Sequence, residues 1–168
     1  MSTQIRIAGI VQESIVDGPG IRLVVFAQGC KHHCLGCHNP ETHSFEGGQL
    51  ITIEELLGMM KRNPLLDGIT LSGGDPFEQA IAFAELARET RKIGLNVVTY
   101  TGYTYEYLEK TSSVREDWAA LLNETDILVD GRFELEKKSL MLKFRGSENQ
   151  RIIDVKRTRK ENKLIMIH

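Results

Sequence analysis

The sequence predicts an α/β fold, an open partial (β/α) barrel with a mainly parallel sheet. Three observations predict it. Short β-branched or apolar runs each lead into a glycine-bearing loop and then into a stretch with helical spacing. This strand–loop–helix unit repeats at least three times, the pattern of parallel βαβ units. The chain has 168 residues, whereas a complete eight-unit barrel typically needs about 250. With 41% hydrophobic and 26% charged residues, the composition is that of one globular domain, 1–168, able to bury one core.

In chain order, Ile5 to Val11, with Ile5, Ile7, Ile10 and Val11, reads as a short strand. Asp17-Gly18-Pro19-Gly20 is a turn, since proline presets one φ and glycine admits unusual backbone angles. Ile21 to Ala27 is the next strand. Pro40 to Gly48 is a polar loop, and Thr52 with Glu55 three residues on forms a capping box. The helix it opens runs to about Arg62; its Leu56, Leu57, Met59 and Met60 read as core packing. Gly68 to Ser72 is a strand ending in Gly73-Gly74-Asp75-Pro76. Phe77 to Ile93 is an amphipathic helix, with Ile81, Ala84, Leu86 and Ala87 among its apolar positions and Gly94 as its C′ residue. Leu95 to Thr99 is a strand ending in Tyr100-Thr101-Gly102-Tyr103. Tyr105 to Lys110 and Val114 to Asn123 read as helical, with Trp118 and Leu122 facing the core. Asp126 to Val129 is a strand ending in Asp130-Gly131, and Phe133 to Lys138 is a loop or short helix. Arg145 to Gln150 is polar, Arg151 to Val155 and Leu164 to Ile167 are short strands, and the basic run Lys156 to Lys160 is solvated surface.

The chemistry concentrates in Gln28 to Pro40, which reads Q-G-C-K-H-H-C-L-G-C-H-N-P. It holds all three cysteines, Cys30, Cys34 and Cys37, spaced C-x3-C-x2-C. Three thiols this close can reach one inorganic centre. Structural zinc wants four protein ligands, and simple iron–sulfur clusters are usually held by four thiolates. The chain has no fourth cysteine, which leaves a vacant coordination position, a partner such as histidine, or no metal. A zinc site completed by His32, His33, His38 or His43 is the rival on metal grounds, although none of the five histidines is assigned. Cys34 to His38 also fits the haem-attachment pattern C-x-x-C-H. That reading leaves Cys30 unexplained and implies export, for which Met1 to Ile10 has no long apolar stretch. A thioredoxin-like pair needs a helix N-terminus after a strand, and an odd cysteine count disfavours structural disulfides.

Chemistry in parallel α/β folds gathers at the carboxyl ends of strands, where the cysteine stretch, Gly73-Gly74 and Asp130 all stand. Paired glycines let a ligand approach the backbone. A carboxylate such as Asp130 either accepts hydrogen bonds from a ligand or orients a basic residue. The net charge of −2 gives no reason to expect nucleic-acid binding. No stretch approaches the roughly 20 apolar residues that span a bilayer, so a cytoplasmic protein is expected, where thiols stay reduced.

On C-x3-C-x2-C the chain resembles the radical S-adenosylmethionine (SAM) enzymes. In that family three thiolates hold a [4Fe–4S] cluster and SAM chelates the fourth iron. An electron from the reduced cluster cleaves SAM to methionine and a 5′-deoxyadenosyl radical. Many members carry an aromatic residue before the third cysteine, where this chain has Gly36. Within the family, C-x-G-C followed by histidine and asparagine is similar to the activases of anaerobic ribonucleotide reductase. The likeness extends to Asp17-Gly18-Pro19-Gly20, Ser72-Gly73-Gly74-Asp75-Pro76, Tyr100-Thr101-Gly102-Tyr103, Leu128-Val129-Asp130-Gly131 and Arg145-Gly146-Ser147, in order.

The resemblance implies Cys30, Cys34 and Cys37 as cluster ligands. It implies Gly36, Cys37, His38, Gly73, Gly74, Asp75 and Asp130 as cofactor contacts, Asp75 taking the place of the commoner glutamate. It implies cluster and SAM at the carboxyl-terminal edge of the partial barrel, with Arg145 pairing a carboxylate of SAM or of protein. The partners implied are the glycyl-radical large subunit of the reductase and an unidentified reductant. No catalytic side chain is named, because the radical itself abstracts the hydrogen. The alternatives are an activase of a formate-lyase type enzyme, a small-molecule radical SAM enzyme such as a deazapurine synthase, and a non-enzymatic zinc module.

Overall fold

The computed structural model describes residues 3–32, 34, 43–139 and 141–167. Among these, the strands are β1 (Gln4–Ser14), β2 (Arg22–Ala27), β3 (Gln49–Thr52), β4 (Gly68–Gly73), β5 (Asn96–Tyr100), β6 (Ile127–Asp130) and β7 (Arg151–Asp154). The helices are α1 (Ile53–Lys61), α2 (Ala80–Lys92), α3 (Tyr105–Thr111), α4 (Glu116–Glu124) and α5 (Val155–Glu161). One sheet takes the order β3-β1-β2-β4-β5-β6-β7. Its centre, β2-β4-β5-β6, is parallel, while β1 runs antiparallel to β2 and β3, and β7 antiparallel to β6.

The expected mainly parallel sheet is therefore mixed, a parallel centre between antiparallel margins. The reason lies in the connections. A parallel neighbour needs a crossover, usually a helix, and α1, α2 and the α3–α4 pair precede β4, β5 and β6. Among the described residues no α-helix separates β1 from β2 or β6 from β7, so the chain doubles back there. The sheet is open, with β3 and β7 at its two ends.

Helices and one sheet face enclose a core that includes Leu23, Val25, Leu71, Leu56, Phe83 and Leu121. Each such side chain contributes about 1.5–3 kcal/mol through burial. α1 begins on the expected Thr52 cap, the Glu55 amide donating to Thr52 Oγ1 at 3.1 Å, which is one half of the capping box. The helix expected from Phe77 begins instead as a 3-10 turn, Pro76–Gln79, capped by Asp75, before α2 takes over. α2 buries Phe83, Ala84 and Ala87 and leaves Ile81 71% exposed. Trp118 and Leu122 are buried as their spacing suggests, and the Trp118 indole donates to the Phe77 carbonyl at 3.0 Å.

Three expectations change. The segment just after the polar loop contains β3, whose alternation is too short to register: Ile51 is buried and Leu50 exposed. The basic run is part of α5, which buries Val155 and Thr158 beneath its charges. Leu164 to Ile167 is not a strand; left-handed Asn162 turns the chain back, and the tail makes one isolated bridge, Met166 to Ile153.

The other sheet face carries Arg22, fully buried. Its guanidinium donates to Thr70 Oγ1, to the Pro19 carbonyl and to the Ile69 carbonyl, each at 2.8 Å. Thr70 Oγ1 donates to the Asp17 carbonyl at 2.8 Å. The Asp17–Gly20 turn is thus tied down onto the sheet. Burial pulls the Arg22 guanidinium down to about 10, still charged at neutral pH.

Candidate functional site

The strand ends build the site. A cavity of about 350 Å³ opens at the carboxyl ends of β2, β4, β5 and β6, where Phe26, Ser72, Gly73, Tyr100 and Gly131 line it. Cys30 and Cys34 line the same cavity, Cys30 buried and Cys34 half-buried. Cys37, Gly36 and His38 lie outside the described residues. Among the described residues no three His, Cys, Asp or Glu side chains converge as a metal site.

The cysteine loop leaves β2 under close backbone control. The Gly74 amide donates to the Ala27 carbonyl at 2.7 Å, and the Asp75 amide to the Gly29 carbonyl at 2.8 Å. Gly73 has a φ of 87°, which only glycine adopts without strain. A Cβ on Gly74 would lie 2.9 Å from the Ala27 carbonyl oxygen and would collide with that of Gly29. The paired glycines thus let two backbone segments meet. They line the cavity, but the Gly74 N–H is committed to Ala27.

Asp75 is fully buried and does not line the cavity. One carboxylate oxygen accepts from the Phe77 amide at 3.0 Å, and the other from the Gly102 amide at 3.0 Å. Thr101 Oγ1 reaches both, at 3.1 and 2.9 Å. His32 Nε2 stands 2.7 Å from Oδ2. A carboxylate so supplied with donors is held by the protein, so the SAM contact that the resemblance implies for Asp75 would have to share oxygens already engaged by these donors. Asp130 is also fully buried and off the cavity. It accepts from the Tyr105 amide at 2.7 Å and from Arg151 Nε at 3.0 Å. Of the two roles open to it, it fills that of orienting a basic residue.

The cysteine loop is strapped to the turn after β4 by two side chains. His32 reaches Asp75, and Lys31 Nζ lies 3.4 Å from Glu78. Glu78 accepts from the Tyr103 hydroxyl at 2.5 Å, and the Tyr103 ring meets the His32 ring edge-on at 4.5 Å. Desolvation, with Glu78 beside it, pushes the Tyr103 phenol far above its ordinary range.

Residues 131–150 supply the far wall through Phe133, Leu142, Phe144 and Arg145. The Tyr100 hydroxyl donates to the Phe144 carbonyl, and burial pushes that phenol well above its usual value. Phe144 has a φ of 65°, a strained conformation for an aromatic residue. Gln150 Oε1 accepts from the Gly146 and Ser147 amides at 2.8 and 3.1 Å, shaping the Arg145-Gly146-Ser147 turn. Arg145 Nη1 donates to the Gln150 carbonyl at 2.7 Å. Among the described residues no carboxylate pairs with it and its buried Nε has no hydrogen-bond partner.

The sequence offered His32 only as a possible zinc ligand and Tyr100 only within the Tyr100-Thr101-Gly102-Tyr103 turn; their partners, Asp75 and the Phe144 carbonyl, come from the structure. The signal for His32 was its place between two candidate ligands; what it lacked was the partner, 43 residues away.

Comparisons with known proteins converge. A family model described as a 4Fe-4S single cluster domain matches residues 16–153. The chain is 36% identical over 144 residues to the anaerobic ribonucleoside-triphosphate reductase-activating protein of Vibrio cholerae, covering 81% of this chain and 89% of that protein. It is 32% identical over 144 residues to the protein of the same name from Enterobacteria phage T4, covering 82% and 86%. It is 40% identical over 111 residues to the pyruvate formate-lyase-activating enzyme of Clostridium pasteurianum, covering 62% of this chain and 47% of that enzyme.

Proposed function

The chain belongs to the 4Fe-4S single cluster domain family and to the family of anaerobic ribonucleoside-triphosphate reductase-activating proteins, and from that premise we propose that it is a radical SAM activase that generates a glycyl radical on an anaerobic ribonucleotide reductase. One observation carries the reading beyond the family: Cys30 and Cys34 line the same cavity as Gly73 and Gly74. Thiolates are the ligands an iron–sulfur cluster takes, and the cavity has a wall of backbone where a cofactor can approach. The residues present fit both groups.

Cys30, Cys34 and Cys37 would hold the [4Fe–4S] cluster, leaving one iron to SAM. Gly73 and Gly74, with Gly36, Cys37 and His38, would flank SAM. Arg145, a cavity-lining guanidinium without a carboxylate partner among the described residues, suits SAM's carboxylate. Asp75 acts through the turn it caps, while Asp130 holds Arg151 and the Tyr105 amide at the sheet margin. When bound, cluster and SAM supply the one-electron chemistry that ends in hydrogen abstraction from a glycine of the large subunit. An external reductant provides the electron. The protein's own part is to bind, to orient and, through the apolar wall of residues 131–150, to keep water away.

The open sheet suits a protein loop as substrate, and we read it as a single radical SAM domain with a partial (β/α) barrel. No helix among the described residues is long and apolar enough to cross a membrane. We read the chain as a cytoplasmic enzyme without membrane or nucleic-acid partners, its net charge of −2 giving no reason to expect nucleic-acid binding. The match to a formate-lyase activating enzyme keeps a second glycyl-radical protein as the alternative partner; the chain spans about half of that enzyme.

Anaerobic reconstitution with iron and sulfide tests the reading. The wild-type chain should take up a [4Fe–4S] cluster and cleave SAM when reduced, and Cys30→Ala, Cys34→Ala or Cys37→Ala should lose the cluster or leave it labile. Stable zinc without sulfide in protein made under iron-replete anaerobic conditions would overturn it.

A further inference from the structure

His32 sits between Cys30 and Cys34 in sequence and borders the same cavity, with its ring packed against Tyr103. Its side chain is 3% exposed and that of Asp75 is 0% exposed. Asp75 offers Oδ2 at 2.7 Å. The other donors to that carboxylate are an amide N–H from the same turn, the Thr101 hydroxyl and the Gly102 amide. With Asp75 Oδ2 as the acceptor, His32 Nε2 is the donor of this contact. Nδ1 is then left buried with no hydrogen-bond partner among the described residues. The fold accommodates the ring at some expense elsewhere. A Cβ on Gly102 would stand 2.6 Å from His32 Nε2, so only glycine leaves room. A buried polar atom without a partner, seated where the fold has been cut back to admit it, is not explained by packing.

Resting on the activase reading above, we propose that His32 and Asp75 form a positioning pair that fixes Cys30 and Cys34 against the strand-end turns facing SAM. The pair joins three loops. Asp75 belongs to the turn after β4, Thr101 and Gly102 to the turn after β5, and His32 to the cysteine loop. Neither residue reacts. Together they set where the first two cysteines stand relative to Gly73 and Gly74, and so whether the cluster's open iron and the SAM site coincide. Hydrogen bonds of this outer kind typically change metal-site affinity by about 10–100-fold.

Three variants test this: His32→Leu, which removes the donor; His32→Gln, whose amide can replace Nε2–H; and Gly102→Ala, whose methyl crowds the ring while both His32 and Asp75 keep their own side chains. Each is reconstituted anaerobically and analysed for iron and sulfide. SAM affinity is then read from the change SAM makes in the electron paramagnetic resonance spectrum of the reduced cluster, with circular dichroism as the check on folding. His32→Leu and Gly102→Ala should bind SAM about tenfold or more weakly, and His32→Gln should recover most of that loss. Wild-type SAM affinity in His32→Leu or Gly102→Ala would overturn the proposal, as would a His32→Gln chain no better than His32→Leu. If His32→Leu does not fold, Gly102→Ala and His32→Gln decide. A wild-type chain that takes up no cluster would instead overturn the activase reading, and this proposal with it.

Discussion

Asp75 and Asp130 begin alike and end differently. Each stands at the carboxyl end of a parallel central strand, each is fully buried, and each accepts a backbone amide at the start of a helical turn, Phe77 for one and Tyr105 for the other. Asp75 takes its further donors from the cysteine loop and the turn after β5. Asp130 takes them from Arg151 on antiparallel β7, whose side chain is 27% exposed and also pairs with Glu106. One carboxylate is bound wholly inside the site's framework, and the other reaches the surface through its partner. The same residue type at the same kind of strand end thus serves the cavity in one place and the sheet margin in the other.

The largest effect should come from Asp75→Ala. It strands the Gly102 amide, the Thr101 hydroxyl and His32 in the interior at once. Losing a buried, charge-assisted network costs on the order of 3–5 kcal/mol, and cluster uptake should fall with it. Denaturant unfolding of the apo chain and iron analysis of the reconstituted one would show both.

Asp130→Ala should separate the two carboxylates. Arg151 keeps Glu106 and partial contact with water, so the loss should be about 1–3 kcal/mol, with cluster and SAM binding near wild type. Equal damage to the cluster from both substitutions would erase the distinction.

Alkaline pH probes the turns beside Asp75. The folded chain holds the Tyr100 and Tyr103 protons well above pH 10, Tyr100 through burial and Tyr103 through burial and Glu78. The unfolded chain releases them from about pH 10. Their contribution to stability is therefore intact below that pH and is lost as pH rises above it. Tyr100→Phe should flatten the decline in an unfolding titration. The smallest effect belongs to Glu106→Gln. Its side chain is 63% exposed and shares Arg151 with Asp130, so the change should stay below about 1 kcal/mol.

These two carboxylates also mark how far the sequence could be read. Strand ends, the Thr52 cap and Gly94 were legible because each rests on neighbours a few residues away. So was the clustering of Cys30, Cys34 and Gly73 near one edge, which parallel topology dictates. The partners of Asp75 and Asp130 were not, because both arrive from distant segments: His32 is 43 residues from Asp75, and Arg151 is 21 from Asp130. β3 escaped because four residues, Gln49–Thr52, carry too little alternation to be seen. The antiparallel margins depend on which loops lack a helix, and the commitment of Gly74 to the Ala27 carbonyl depends on the fold itself.

The central claim is that this chain puts a radical on another protein. Its most direct test is electron paramagnetic resonance on a mixture of the reduced, cluster-loaded chain, SAM and anaerobic ribonucleotide reductase. The account predicts a glycyl doublet on the reductase that requires every component and vanishes with Cys34→Ala. SAM cleavage without that doublet, accompanied by turnover of a small molecule, would contradict it.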